Sequence, residues 1–264
     1  MKKQCYKYLL LILSTILCIW FVGCSTKKNT AKSRWWHSFN AKYNTYYNGS
    51  QAYIAGSLEK ENNNKDNFID IIPLFTVANK NTKEIGKNSF DIAIKKAEKA
   101  IALHSIKRKP EWNKTRRKTP KDIEWLSRKE YNPFLWKAWM LLGKSQFYKG
   151  AFEEAASTFS YMSRIYKTQS VIYSKARLWL AISYIEAGWI YEAENVIRNL
   201  SRNHIEPNVI KDWNYALTDL YLHTGELEKA VPYLEKVIKK EKRKKQKARE
   251  FFLLGQLLLS LIHI

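Results

Sequence analysis

Three glycines mark a period of 37 to 38 residues in the second half of the chain. Gly150, Gly188 and Gly225 lie 38 and 37 residues apart, and an alanine follows each of them five residues later. Apolar residues recur at spacings of three and four on both sides, which predicts two helices joined by a turn where glycine adopts left-handed geometry at low cost. A lone helix pair cannot bury its apolar faces, so neighbouring pairs must stack. The predicted fold class is all-α, an array of antiparallel helical hairpins.

The residues around these turns resemble the tetratricopeptide (TPR) repeat. The first unit has Trp139, Leu142, Gly143, Gly150, Ala155 and Phe159; the second has Leu180, Ala181, Tyr184, Gly188 and Ala193; the third has Leu217, Tyr221, Gly225 and Ala230. In that family small residues stand where two helices touch and large ones fill the holes between them. The resemblance implies a right-handed superhelical solenoid. A series of helical hairpins without the TPR superhelix is the alternative.

A fourth unit begins at Phe251 and is interrupted. The chain stops at Ile264 before a second helix appears, and residues 257–264 lack the polar outer face that a terminal repeat needs for solubility. We therefore expect the sequence to be a fragment of a longer protein. Residues 131–264 are predicted to form three repeats plus a truncated fourth.

The first 23 residues are predicted to be a lipoprotein signal peptide. Three lysines precede a run of 14 mostly apolar residues, Leu9 to Val22, which is too short for a helix that spans a bilayer. Cys24 follows directly, and the segment resembles bacterial signals in which this cysteine carries lipid. An ordinary cleaved signal with an incidental cysteine is the alternative. Because Cys5 and Cys18 leave with the signal, a disulfide is excluded, and Cys24 is the predicted lipidation site.

The residues after Cys24 predict where the protein resides. Ser25 follows it where retention in the inner membrane would call for an aspartate, and no acidic cluster of the kind that directs some lipoproteins to the cell surface is present. Two or three acyl chains hold a protein on a membrane almost permanently. We predict an outer-membrane lipoprotein that faces the periplasm.

The front half is predicted to contain degenerate helical repeats. Residues 24–33 form a linker, and residues 34–130 hold a hairpin over 34–62 that turns at Asn48-Gly49, then extended chain over 71–77. A helix over Asp91 to His104 has its alanines directed inward and is expected to pair with Phe134 to Tyr148.

Basic residues are concentrated in two short runs. The formal net charge is +22, and residues 107–121 and 239–249 each carry eight Lys or Arg against one Glu. Such density favours mobile, solvated loops. An anionic partner such as lipid or lipopolysaccharide is the next interpretation, and nucleic acid stacked on Trp112 and Trp125 is the third.

The sequence lacks the motifs of common enzymes and metal sites. No nucleophile elbow, P-loop or glycine-rich dinucleotide turn is present, and no two of the five histidines are spaced i, i+4. We predict no catalytic residue, no metal and no cofactor. The predicted role is that of a scaffold for other proteins.

The TPR resemblance also implies a binding groove, built by the first helix of each unit. Carried over by position, the groove residues are Lys137, Met140, Lys144, Tyr148, Lys175, Leu178, Ile182, Asp212, Tyr215 and Asp219. The lysines among them suit the carboxylates of a peptide or a partner helix.

Two stretches resemble one particular family. The run Arg34 to Asn44 (RWWHSFNAKYN) soon after the lipid cysteine, and the run Gly143 to Gly150 (GKSQFYKG), are similar to TPR lipoproteins of the type IX secretion and gliding-motility machinery, the PorW/SprE type. The resemblance implies a periplasmic adaptor that links inner-membrane components to the outer-membrane translocon. A SusD-like nutrient-uptake lipoprotein is the main competitor, and a basic TPR protein that binds anionic lipid or RNA is another.

Overall fold

The computed structural model describes residues 28–202 and 205–262, and the regular elements within those ranges are all helical. The all-α prediction is therefore confirmed. The predicted signal peptide and Cys24 lie outside the described residues. None of the helices in the described ranges combines the length and the apolar character needed to cross a bilayer.

The second half consists of three consecutive helical hairpins followed by one long helix. For brevity, the first helix of a hairpin is called its A helix and the second its B helix. The pairs are α5 (Leu135–Lys149) with α6 (Phe152–Ile165), α7 (Ser170–Glu186) with α8 (Ile190–Ser201), and α9 (Ile210–Thr224) with α10 (Leu227–Lys240); α11 (Lys244–Ile262) is the A helix that follows them. Each B helix also packs against the next A helix.

The predicted turn glycines adopt the predicted geometry. Gly150, Gly188 and Gly225 have φ values of +86°, +82° and +75°, in the left-handed region. Within the first hairpin a Cβ added to Gly143 would lie 2.5 Å from the ring of Phe159. A glycine in one helix therefore admits the phenylalanine of the other, and the two axes approach closely.

The predicted hairpin over residues 34–62 is wrong. α1 (Ala31–Asn40), a π-helical stretch (Ala41–Tyr46) and α2 (Tyr47–Asn63) run on without a turn as one front helix. Gly49 is helical, and a Cβ there would lie 3.0 Å from Lys96 Cβ and 3.1 Å from Leu141 Cδ2. Gly49 serves close helix packing, not a turn, which is why the Asn-Gly signal misled. The helix also includes the last three residues, 31–33, of the predicted linker over 24–33.

The predicted central helix and its partner are confirmed. α3 (Lys87–His104) buries Phe90, Ala93, Ala97 and Ala100 and packs against both α2 and α5. Gly86, just before it, has φ +75°, and a Cβ there would lie 2.7 Å from Gly56 O. After α3 the chain is irregular until the short helix α4 (Pro120–Ser127), which begins with a capping box between Thr119 and Asp122.

Residues 64–79, called here the covering segment, cross the face formed by the A helices. Phe75 packs against Phe147 of α5, Trp179 of α7 and Tyr215 of α9, with ring centroids 5.2, 6.3 and 5.9 Å away. Ile72, Leu74, Phe75 and Val77 are buried in the same core as the three hairpins. At the end of the stretch predicted as extended chain, 71–77, Thr76–Ala78 forms a 3-10 turn instead.

The covering segment is also fastened to α11. Arg249 donates to both carboxylate oxygens of Asp66, at 2.8 and 2.9 Å, and to the carbonyl oxygens of Pro73 and Leu74. Ile72 N donates to Gln256 Oε1 at 3.1 Å. These contacts join residues about 180 positions apart and cover part of the A-helix face with the chain itself.

A proline and a basic run interrupt the regular pattern of the third hairpin and the helix after it. Pro232 is the sixth residue of α10, where it removes the helical bond to the Glu228 carbonyl. Because Pro232 is exposed, water can bind that carbonyl instead. The basic run 239–249 is not a loop, because all of it except residues 241–243 belongs to α10 or α11. Within this three-residue connection, Glu241 accepts hydrogen bonds from Lys242 N and Arg243 N.

Candidate binding site

Four of the ten predicted groove residues line one cavity. Lys144, Tyr148, Asp212 and Tyr215 face a volume of about 430 Å³ between the A helices, the end of the front helix and the covering segment. The other walls include Tyr53, Lys60, Phe75, Trp179, Glu241 and Arg243. Of the cavity residues, only Lys144, Tyr148, Asp212 and Tyr215 were predicted from the sequence. Trp179 lies on α7 but is not one of the predicted groove positions, and Tyr53, Lys60 and Phe75 come from the front half, where no repeat pattern marked them.

Lys144 is a charged residue in the wall of this cavity. Its Nζ is 4.2 Å from the ring centroid of Trp179, whose indole N–H donates to Asp212 Oδ1 at 3.0 Å. Burial lowers the pKa of Lys144, and the nearby Asp212 carboxylate partly offsets this. In the described part of the chain no carboxylate lies within ion-pair distance of Lys144 Nζ. The ammonium is thus available to an acidic ligand that stacks beside Trp179.

Aromatic side chains form the apolar part of the cavity. Tyr148 lies 5.3 Å from Phe147, 5.9 Å from Tyr53 and 6.5 Å from Phe75 between ring centroids. Burial raises the pKa of Tyr148 to about 12, so its hydroxyl stays protonated and can donate a hydrogen bond. This aromatic wall offers apolar contact area to a ligand, and the Tyr148 hydroxyl adds a hydrogen-bond donor.

Two carboxyl groups near the start of α11 have different environments: Glu241 lines the cavity, whereas Glu250 is buried beside Tyr215 and does not line it. Although burial acts to raise the pKa of Glu241, bonds from the Arg243 backbone and guanidinium lower it to about 2. Burial raises the pKa of Glu250, which receives the Tyr215 hydroxyl at 2.8 Å. The same hydroxyl lies 3.1 Å from Glu241 Oε2. Glu241 is therefore the fixed negative charge that holds Lys211 and Arg243 at the rim.

Lys60 anchors the end of the front helix in the cavity wall. Its Nζ donates to the carbonyl oxygens of Thr82 and Lys83, at 2.6 and 3.3 Å. Burial lowers the pKa of Lys60 to about 8. The side chain is 1% exposed, so it positions the chain after the covering segment and does not reach a ligand.

Other predicted groove residues are inside the core. Met140, Leu178, Ile182 and Asp219 are 8%, 1%, 0% and 0% exposed, so in this conformation a partner has no access to them. Lys137 is exposed but lies over Phe134 and Trp136, and Lys175 is half-buried on α7; neither lines the cavity. The TPR resemblance implies that these positions line an open groove; here the covering segment and the packing between A helices make several of them inaccessible.

Asp219 belongs to a buried acid pair that the sequence did not reveal. Neither of its carboxylate oxygens has a hydrogen-bond partner among the described residues, and the same is true of Glu186 Oε1. Burial and the proximity of Glu186 raise the pKa of Asp219, and burial raises that of Glu186 to about 8. His223 Nδ1 is 3.6 Å from Asp219 Oδ1. The two carboxyls consequently retain protons at a pH where exposed ones would not.

Two histidines meet although they are 67 residues apart. His37 Nδ1 and His104 Nδ1 are 3.1 Å apart, and burial together with His37 lowers the pKa of His104 to about 4. No group of three or more metal-ligating side chains occurs in the described ranges. The pair joins the front helix to the end of α3.

Trp112 in the basic run and Trp125 on α4, just after it, contact arginines of the same chain. Trp112 Nε1 donates to Arg116 O and its ring lies under the Arg116 guanidinium at 4.9 Å, while Arg34 and Arg128 both lie 5.0 Å from the Trp125 ring. These rings already contact cations, so nucleic-acid bases would have to displace the arginines in order to stack on them.

A second recess of about 840 Å³ is lined by Lys107, Lys129, Arg164, Trp139 and Tyr161, among others.

Comparison with known proteins adds no relationship: no family model matches the sequence, and no curated protein is significantly similar to it.

Proposed function

We propose that this chain is a non-enzymatic scaffold lipoprotein of the TPR type, anchored through Cys24 in the outer membrane with its repeats in the periplasm. The observation that carries the proposal is the regular series of hairpins. Each hairpin turns at a left-handed glycine, and the B helix of each hairpin packs on the next A helix. In the first hairpin, Gly143 contacts Phe159, a pairing of a small with a large residue as in TPR units.

The proposed partners are components of the type IX secretion and gliding-motility system, with the protein linking its periplasmic and outer-membrane parts. The resemblance of Arg34–Asn44 and Gly143–Gly150 to lipoproteins of that machinery supports this assignment. Lys144 and Tyr148, within the second stretch, line the cavity.

The cavity supports a specific mode of partner binding. Because Phe75 and its neighbours already fill much of the A-helix face, the remaining space of about 430 Å³ suits a side chain or a chain terminus more than a whole helix. Lys144 supplies a positive charge and Trp179, Tyr148 and Tyr215 supply flat apolar surface. A carboxylate-bearing segment of a partner protein fits this chemistry.

Affinity capture from the native membrane tests the proposal, with paired variants. Lys144→Met removes the cavity charge but keeps the apolar stem, and Lys137→Met makes the same change on the same helix outside the cavity. Wild type and Lys137→Met should co-purify secretion-channel subunits, and Lys144→Met should recover about tenfold less, as expected for a lost charge-assisted contact. Recovery of sugar-transport receptors in place of channel subunits would overturn the assignment.

Labelling with fatty acid tests the anchor separately. The wild-type chain should incorporate labelled fatty acid and a Cys24→Ser chain should not, since Cys24 provides the only thiol after residue 23. A wild-type protein without label contradicts the anchor and leaves the partner assay unaffected.

A further inference from the structure

The start of the front helix exposes a row of aromatic side chains. Trp35, Phe39, Tyr43 and Tyr47 recur every four residues and are 63%, 47%, 52% and 55% exposed; Trp36 beside them is 45% exposed. Trp35 stacks on Phe39 at 5.5 Å, and Phe39 contacts Tyr43 in a tilted arrangement at 4.8 Å, both measured between ring centroids. The wider π-helical turn over Ala41–Tyr46 offsets the drift of an α-helix and keeps them aligned. These five residues are called the aromatic edge.

The same region carries positive charge without compensating acids. Residues 25–58 contain Lys27, Lys28, Lys32, Arg34 and Lys42 and no Asp or Glu. Lys42 Nζ lies 4.7 Å from the Tyr43 ring centroid, so a cation borders the aromatic edge. Tryptophan and tyrosine rings with flanking lysines are the residues that favour the headgroup region of a bilayer.

A hydrogen-bond relay holds the basic run 107–121 at the same end of the molecule. Asn29 Nδ2 donates to Arg108 O at 2.6 Å, and Arg34 donates to Asn29 Oδ1 at 2.6 Å. Seven of the eight cations of this run, Lys107, Arg108, Lys109, Lys114, Arg116, Arg117 and Lys118, precede α4 and are exposed. Two separate parts of the sequence thereby present their positive charge near residue 29.

Chain length brings this end close to the proposed anchor. Asn29 is five residues from Cys24, which at full extension is at most about 18 Å, and Ala31 is at most about 25 Å away. A lipid on Cys24 would therefore keep the aromatic edge and the basic run within reach of the bilayer surface. Residues at the far end of the array, such as Lys239 and Lys240, have no such constraint.

We propose that the aromatic edge and residues 107–118 form a membrane-docking surface that lies on the anionic phospholipid bilayer holding the anchor. This inference rests on the proposed lipidation of Cys24. The rings enter the headgroup region, and the lysines and arginines pair with lipid phosphates. Docking fixes the front helix against the membrane, so that the repeats project into the periplasm in a defined orientation.

The test uses the lipidated protein, purified from native membranes and reconstituted in vesicles that contain phosphatidylglycerol and brominated phosphatidylcholine. Mass spectrometry of the N-terminus is done first. Bromine near the headgroups should quench tryptophan fluorescence, and Trp35→Phe/Trp36→Phe, which keeps the aromatic character, should lose about half of that quenching if these indoles lie at the interface. A variant quenched as strongly as the wild type would overturn the proposal.

Two charge variants sharpen the test. Lys109→Glu/Lys114→Glu/Arg117→Glu should reduce the quenching about twofold or more, whereas Lys239→Glu/Lys240→Glu/Lys242→Glu, the same change at the far end, should leave it within about a fifth of wild type. Equal effects of the two variants contradict a defined docking surface. If the N-terminus carries no lipid, the anchor fails, and the same vesicles mixed with the soluble chain show whether the surface binds unaided.

Discussion

The two halves of this protein are built on different kinds of contact. In the hairpin series, the two helices of each hairpin pack against each other, each B helix packs against the next A helix, and three glycines at regular spacing set the turns. In the front half, the covering segment reaches α11 across more than 170 residues, through Arg249, Asp66 and Gln256. The sequence therefore predicted the hairpin series, whose helices are set by signals within each repeat. Apart from the central helix α3, it did not predict the fold of the front half, which depends on contacts between residues far apart in the sequence.

Because the front half depends on these long-range contacts, we expect the largest loss of stability from a substitution of Phe75. Its ring is 6% exposed and touches three A helices. Phe75→Ala should lower the free energy of unfolding by about 3 to 5 kcal/mol, through lost burial and the cavity left behind. Ile69→Ala, in the same segment but 93% exposed, should change it by less than about 0.5 kcal/mol. Urea denaturation followed by circular dichroism measures both, and similar values would mean that the segment does not pack on the array.

Arg249 tests the polar fastening of the same segment. Arg249 and Asp66 are 11% and 7% exposed, and Arg249→Met leaves the Asp66 carboxylate buried without its cation. We expect a loss of about 3 kcal/mol, at the lower end for a broken buried pair. Lys87→Met, which breaks an exposed pair with Glu84, should change the free energy of unfolding far less, because water screens an exposed ion pair. An equally small loss at Arg249 would show that the fastening is weak.

Gly143→Ala probes packing within a hairpin. The new methyl would lie 2.5 Å from the Phe159 ring, and the expected cost is about 1 to 3 kcal/mol. Gly255→Ala, inside α11 with no atom within 4 Å, is the matched control and should stabilise by about 0.5 to 1 kcal/mol. Thermal unfolding of both variants gives the comparison; a neutral Gly143→Ala would contradict the close contact of α5 with α6.

The acid pair predicts the smallest effect and a pH dependence. Because burial raises the pKa of Glu186 to about 8 and also raises that of Asp219, the folded state binds more protons than the unfolded chain. Its contribution to stability is complete below about pH 4 and is lost as the pH rises through about 8. Asp219→Asn should flatten this loss and stabilise by about 1 to 2 kcal/mol at pH 8. The unfolding free energy at pH 5 and pH 8 measures it; a wild type whose stability rises over that interval would contradict the pair.

The sequence predicted the hairpins because each of their signals acts within one repeat. Gly150, Gly188 and Gly225 mark turns, and the alanines five residues later mark helix contacts. It misread Asn48-Gly49, because a glycine that admits a neighbouring helix looks in sequence like one that turns the chain. It identified Lys144 and Tyr148 as cavity residues from their repeat positions. The positions of Phe75 and Tyr53 in the cavity could not be predicted from the sequence, because they depend on tertiary contacts between the front half and the hairpin series.

A photo-crosslink tests most directly whether the chain covers its own A-helix face. Phe68 is 64% exposed and its ring lies 4.9 Å from that of Phe252 on α11, so a benzoylphenylalanine at position 68 replaces an accessible ring at a defined contact. Irradiation of the purified protein should yield an intramolecular crosslink to the peptide that contains Phe252. Crosslinks confined to residues near position 68, or formed only between molecules, would contradict the covering segment.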